Sequence, residues 1–169
     1  MENAETNEAW HQAVEKYQDL FEVEPTLLAC DKHPEYLTTK WAREQAKPRV
    51  EVQHHHAHIV SALAENGIDG AALGFAFDGT GYGVDGAIWG GEALLCNTAA
   101  FERFANFAYV PMPGGAAAVK NPLRMAYGVL WGYDLLEHPA AATALEPVSS
   151  MVPLMERMIE GGLNTPYTS

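Results

Sequence analysis

Cysteine is scarce in this chain: two in 169 residues, Cys30 and Cys96, and no Cys-x-x-Cys pair. Each sits in an apolar run, "LLAC" and "EALLC", which reads as two buried thiols in a reduced compartment and not as a disulfide framework. Positive charge is also short. Ten Lys and Arg face 22 Asp and Glu, a net charge of −12. That surface repels a phosphate backbone and no basic patch offsets it, so nucleic acid is excluded as a partner of this chain alone. No apolar stretch approaches the ~20 residues a membrane span requires. The opening "MENAETNEAW" is acidic and polar, the wrong chemistry for a secretory signal. Repeats and low-complexity segments are absent too. These absences together read as a soluble, cytoplasmic chain.

What is present is a folding sequence. Nearly half the residues are apolar, 48%, enough for one domain with a core or for two small lobes. Trp10, Ala13, Val14, Tyr17, Leu20 and Phe21 recur at helical spacing over residues 6–21. "PTLLACD" reads as a short buried strand ending on Asp31. Pro34 suits the first position of a helix, "PEYLTTKWAREQA", and "PRVEVQ" alternates as a second strand. A helix follows from the histidines to about Asn66, with Gly67 as its stop. "AALGFAFDG" is a third strand with Leu73, Phe75 and Phe77 on one side, and "AIWGGEALLC" reads as its antiparallel return. "FERFANFAYV" is a further strand candidate. Residues from Pro122 and again over 149–161 are helical in pattern, while "GGLNTPYTS" ends without a cap or a docked strand. The order implies a mixed α/β fold, and both ends read as the edges of a piece of something larger.

The segment "VQHHHAHIVSALAENG" carries the chemistry. His54 and His58 stand at i, i+4, one helical turn apart, the spacing that lets two imidazoles share one ion. The Glu that follows the first His in the zinc-peptidase motif is replaced by His55, which disfavours a peptidase. His55 and His56 point elsewhere, toward supporting roles, substrate or solvent. A histidine-rich helix start that only caps and hydrogen-bonds locally is the plainer alternative.

A third ligand is needed, and Asp78 is the natural one, since it ends an apolar strand at the sheet edge where helices begin. It also opens "DGTGYG", where Gly79, Gly81 and Gly83 leave backbone N–H groups able to face an anion. The competing reading is ordinary turn chemistry in a long hairpin. In "MPGGAAAVKNPLRMA", Lys120 and Arg124 either contact phosphate or are solvated at a helix start, where a cation opposes the helix dipole.

Three blocks, "FEVEPTLLACDKHPEYLTTKWA", "VQHHHAHIVSALAENGIDG" and "GFAFDGTGYGVDGAIWGGEALL", in this order and spacing, closely resemble the C-terminal carbamoyl-transfer domain of the HypF hydrogenase-maturation family. That domain is similar to the tRNA threonylcarbamoyladenosine-synthesis family. The resemblance implies part of an actin/sugar-kinase-like ATPase fold, a mixed sheet flanked by helices. It implies that residues 1–169 are the first half of one carbamoyl-transfer domain, with no complete second domain. It implies His54, His58 and Asp78 as ligands of a divalent metal, iron or zinc, and Gly79, Thr80, Gly81 and Gly83 beside the phosphates of ATP or carbamoyl-adenylate. His55, Lys120 and Arg124 are candidate substrate contacts.

The activity implied is ATP-dependent carbamoyl transfer to the C-terminal cysteine of the partner HypE. The nucleophile then comes from the partner, and no catalytic cysteine is expected here. The family's "GGDLKN"-type segment and its second half, with a further acidic ligand, are absent. Ala116 and Leu123 stand where that family has Asp and Trp. The chain alone is therefore expected to be inactive, and its exposed apolar surface makes a homodimer an expected remedy. Two readings compete: a non-catalytic metal-binding or partner-docking module, and a metallohydrolase, for which a general base is wanting.

Overall fold

The computed structural model describes residues 4–169, and they divide into two compact units, the first running to residue 57 and the second over residues 58–169. The first unit holds α1 (Ala4–Phe21), β1 (Leu28–Asp31), α2 (Leu37–Glu44), β2 (Arg49–Val52) and the first turn of α3 (His54–Glu65). β1 and β2 pair in parallel, with Asp31 opposite Val52. Parallel strands need a crossover, and α2 supplies it. It starts three residues later than Pro34 suggested, because residues 34–36 form a turn and Tyr36 takes an extended N-cap conformation. Its inner side is small: Thr39 and Ala42 are buried, and the Thr39 hydroxyl donates to the Asp31 carbonyl at 2.9 Å. Trp41 meets Trp10 of α1 edge to face, centroids 5.0 Å apart. The rest of the expected α1 face is more open: Tyr17, Leu20 and Phe21 are exposed.

The second unit continues α3 and builds a three-stranded antiparallel sheet, β3 (Ala72–Ala76), β6 (Glu92–Cys96) and β7 (Phe101–Asn106), in the order β3-β6-β7. Its core is Ile59 and Leu63 of α3 against Ala76, Leu94 and Cys96, with Trp89. Gly74 is required there, since a Cβ would collide with the Ile59 side chain. The face that carries the large side chains points the other way: Leu73, Phe75 and Phe77 are exposed. A second sheet orders β4 (Gly81–Tyr82), β5 (Ile88–Trp89), β9 (Tyr167–Thr168) and β8 (Val110–Pro111). β9 corrects the expectation for the tail, which docks parallel to β5 and antiparallel to β8.

The remaining elements are α4 (Ala116–Lys120), α5 (Pro122–Gly132), α6 (Pro139–Leu145), a 3-10 turn (Glu146–Met151) and α7 (Val152–Glu160). Asn121 caps α5 by accepting from Leu123 N, with Pro122 at the first helical position. Tyr127, Leu145, Met155 and Ile159 form a second core. Among the described residues no helix is long and apolar enough to cross a membrane. Cys96 is buried and Cys30 only half-buried, and both are free thiols.

Candidate metal and nucleotide site

The histidine helix is started by Gln53, buried in the first unit. Its side-chain oxygen accepts from His56 N at 2.8 Å, its carbonyl from Ala57 N at 3.0 Å, and its amide nitrogen lies 3.2 Å from His55 Nδ1. That cap fixes the helix phase. His54 falls in the first turn and His58 one turn later on the same helix. His55 and His56 are buried, at 0% and 7% exposure, so neither is the solvent-facing group the sequence left open. Burial and the Gln53 contact give His55 a structural post, which argues against direct substrate contact.

His54 has a carboxylate on one nitrogen: its Nδ1 lies 2.6 Å from Asp31 Oδ2. Asp31 was legible only as the end of a strand. In the second unit, His58 Nε2 stands 3.2 Å from Asp78 Oδ2. Two ligands at tetrahedral metal distances are separated by about 3.3 Å, and at right angles by about 3.0 Å. The His58–Asp78 pair therefore has the spacing of two neighbouring ligands, and its imidazole and carboxylate donors suit iron or zinc. The same two residues line an apolar cleft of about 550 Å³ walled by Ile59, Leu63 and Phe75.

The turn after Asp78 divides into two parts. Gly79 and Thr80 line a cavity of about 370 Å³ with Ala118, Pro122 and Met125, and nothing approaches the side of Gly79 where a Cβ would stand. Gly83 answers to packing instead: a Cβ there would strike the Trp89 indole and the Asp85 carboxylate. None of Gly79, Gly81 and Gly83 takes a positive φ, so the alternating backbone of an anion nest is not formed by them.

A frame the sequence did not announce holds this turn. Trp89 Nε1 donates to Asp85 Oδ1 at 2.9 Å, and the Arg103 guanidinium lies 4.1 Å over the Trp89 ring. Arg103 also donates to both oxygens of buried Glu92, at 2.6 and 3.0 Å. Burial pushes the Asp85 carboxyl up, but bonds from Ala87 N, the indole and its own backbone N–H, with the Arg103 charge, together outweigh it and hold it below the usual range.

The two cations of the 112–126 segment need correction. Lys120 is exposed and stands between two helices. It lies in the last turn of the short α4, whose dipole favours a cation, and just before the Asn121 cap of the longer α5, whose dipole opposes one, so the dipoles alone give no argument for an anion. Arg124 is buried, not solvated: Nε donates to the Pro113 carbonyl at 2.7 Å and the guanidinium packs beneath Gly114. It pins the "PMPGG" turn.

Two family models match the chain: "HypF Kae1-like domain" over residues 1–65, and "Carbamoyltransferase, Kae1-like Domain, second subdomain" over residues 74–169. Carbamoyltransferase HypF2 of Cupriavidus necator is 41% identical over 171 residues, covering 99% of this chain and 21% of the relative. Carbamoyltransferase HypF of Synechocystis sp. is 38% identical over 132 residues, 78% of this chain and 17% of the relative. Among solved structures, full-length HypF in its phosphate- and nucleotide-bound form superposes with a TM-score of 0.86 at 38% identity, over 99% of this chain and 26% of that one. HypF of T. kodakarensis gives 0.80 at 34% identity, over 99% and 24%. The chain thus spans about a fifth of the length of these curated relatives.

Proposed function

Given that the chain belongs to the HypF carbamoyltransferase family, we propose that it forms the first half of a carbamoyl-transfer domain. In this reading His54, His58 and Asp78 hold a divalent metal, iron or zinc, and the turn Gly79, Thr80, Gly81, Gly83 lies beside nucleotide phosphates. The whole protein transfers a carbamoyl group from carbamoyl-adenylate, made with ATP, to the C-terminal cysteine of HypE in the cytoplasm. The 3.2 Å approach of His58 to Asp78, with His54 one turn earlier on the same helix, carries this reading.

The chemistry is acyl transfer. The partner's thiolate attacks the carbamoyl carbon, the C–S bond forms, the C–O bond to phosphate breaks, and AMP leaves with the electron pair. When bound, the metal supplies positive charge that orients the nucleotide and polarises its oxygens. The chain's own residues do the positioning. The open side of Gly79 lets backbone approach a phosphate in the adjoining cavity, and the Asp85–Trp89–Arg103 frame keeps the turn in place. Burial raises the thiol pKa of Cys30, helped by Glu51, and that of Cys96, so both stay protonated and the nucleophile is left to the partner. Lys120, exposed and next in sequence to Val119 of that cavity's wall, is the remaining candidate for a substrate contact.

The test is elemental analysis of tag-free protein beside His58→Ala. Near-stoichiometric iron or zinc in the parent, lost in the variant with the fold retained by circular dichroism, is expected. Equal metal in both proteins sinks the ligand assignment. Nucleotide binding by calorimetry then separates a carbamoyltransferase half-domain from a metal-binding module that never meets nucleotide.

A further inference from the structure

We propose that Asp31 is a positioning residue for the metal site, holding the Nδ1 side of His54 so that Nε2 is the nitrogen presented for coordination. This rests on the metal reading above. The two ring nitrogens of a histidine are distinct, and a carboxylate on one fixes the tautomer and strengthens the other as a donor. Asp31 is built for that task. It closes β1 in register with Val52, two residues before His54. Its Oδ2 lies 2.6 Å from His54 Nδ1, while Oδ1 accepts from His33 N at 2.7 Å. Its carbonyl accepts from the fully buried hydroxyl of Thr39 at 2.9 Å. Carboxylate and carbonyl at the end of β1 are thus tied to two further segments, the 32–36 turn and α2, before His54 is met. The side chains are 25% exposed for His54 and 17% for Asp31, so water competes weakly with their contact.

The competing role is an ordinary structural bond that steadies the junction of β1 and α3. Four proteins separate the two: the parent chain, Asp31→Asn, His54→Ala and, as a control, Thr39→Val. The control loosens the same junction but leaves the carboxylate intact. Zinc affinity is read by competition with a chromophoric chelator, and the fold by thermal midpoint. The zinc-loaded parent is also examined by long-range ¹H–¹⁵N NMR, which reports which nitrogen of His54 carries the proton.

Expected are near-stoichiometric zinc in the parent, loss in His54→Ala, and an affinity about 10- to 100-fold weaker in Asp31→Asn. Thr39→Val should lose thermal stability but keep its zinc affinity, and the NMR should find the proton on Nδ1. Parent affinity in Asp31→Asn overturns the proposal, as does an equal loss in Thr39→Val or zinc on Nδ1. Should Asp31→Asn not fold, the NMR of the parent decides alone. A parent that takes up no zinc fails the metal reading itself, a result distinct from the others, and the proposal falls with it.

Discussion

Single residues in this chain are tuned mainly by their immediate partners, and Glu51 is the clearest case. Arg43 donates to both of its oxygens at 3.0 Å, and Arg49 adds a contact at 3.2 Å. The Arg43 hydrogen bonds come first, with Arg49 behind them, and together they overcome desolvation to hold the carboxyl at about 2 instead of 4.5. A carboxyl depressed in the folded state adds stability that is full above its unfolded pKa and is lost as pH falls through its folded one. The window is therefore about pH 4.5 down to 2. Glu51→Gln should flatten the acid-induced loss of stability across that window, followed by circular dichroism along an acid titration. A Glu51 carboxyl that titrates by NMR at its ordinary value would mean that the arginines do not hold it in solution. The contribution itself is small, because the cluster lies at the surface.

At the scale of elements, the start of α3 decides where the histidines go. Gln53 is an unusual N-cap, since Ser, Thr, Asp and Asn dominate that position. Here it is buried, and its amide serves His56 N and the His55 ring together. Gln53→Ala should cost about 1–2 kcal/mol through the lost cap and a stranded polar group, read from the urea midpoint. No change would mean that packing alone starts the helix. The same element marks how far the sequence could be read. The His54/His58 spacing was legible because a helix has a fixed period, and β1, β2, β3 and α5 were legible from apolar runs and Pro122. Asp31 was not, because nothing local ties a strand end to a histidine 23 residues on. α6, "PAAATAL", has a single large apolar residue, Leu145, too little to show a face in sequence, and β9 is two residues that become a strand only through β5 and β8. The burial of Arg124 was not legible for a related reason: nothing in the sequence shows that the Pro113 carbonyl folds over a cation two residues past a proline.

For the molecule as a whole, two surface properties pull in opposite directions. The open face of the β3-β6-β7 sheet presents Leu73, Phe75, Phe77 and Leu95, and Phe77 stacks on Phe107 with centroids 5.6 Å apart. An exposed apolar patch of this kind favours association, which is the physical case for the expected homodimer. The net charge of −12 opposes it, because two copies brought together repel. Salt screens the repulsion and leaves the apolar contribution in place. Self-association measured by sedimentation velocity should therefore strengthen as salt is raised, the reverse of an assembly held by ion pairs. Phe75→Asp, which sets a charge in the middle of the patch while the Ile59–Leu94 core stays untouched, should shift the population to monomer at every salt concentration. A parent chain that stays monomeric at high salt would mean that this face does not drive assembly of copies. An assembly that weakens with salt would place the contact on a charged surface elsewhere.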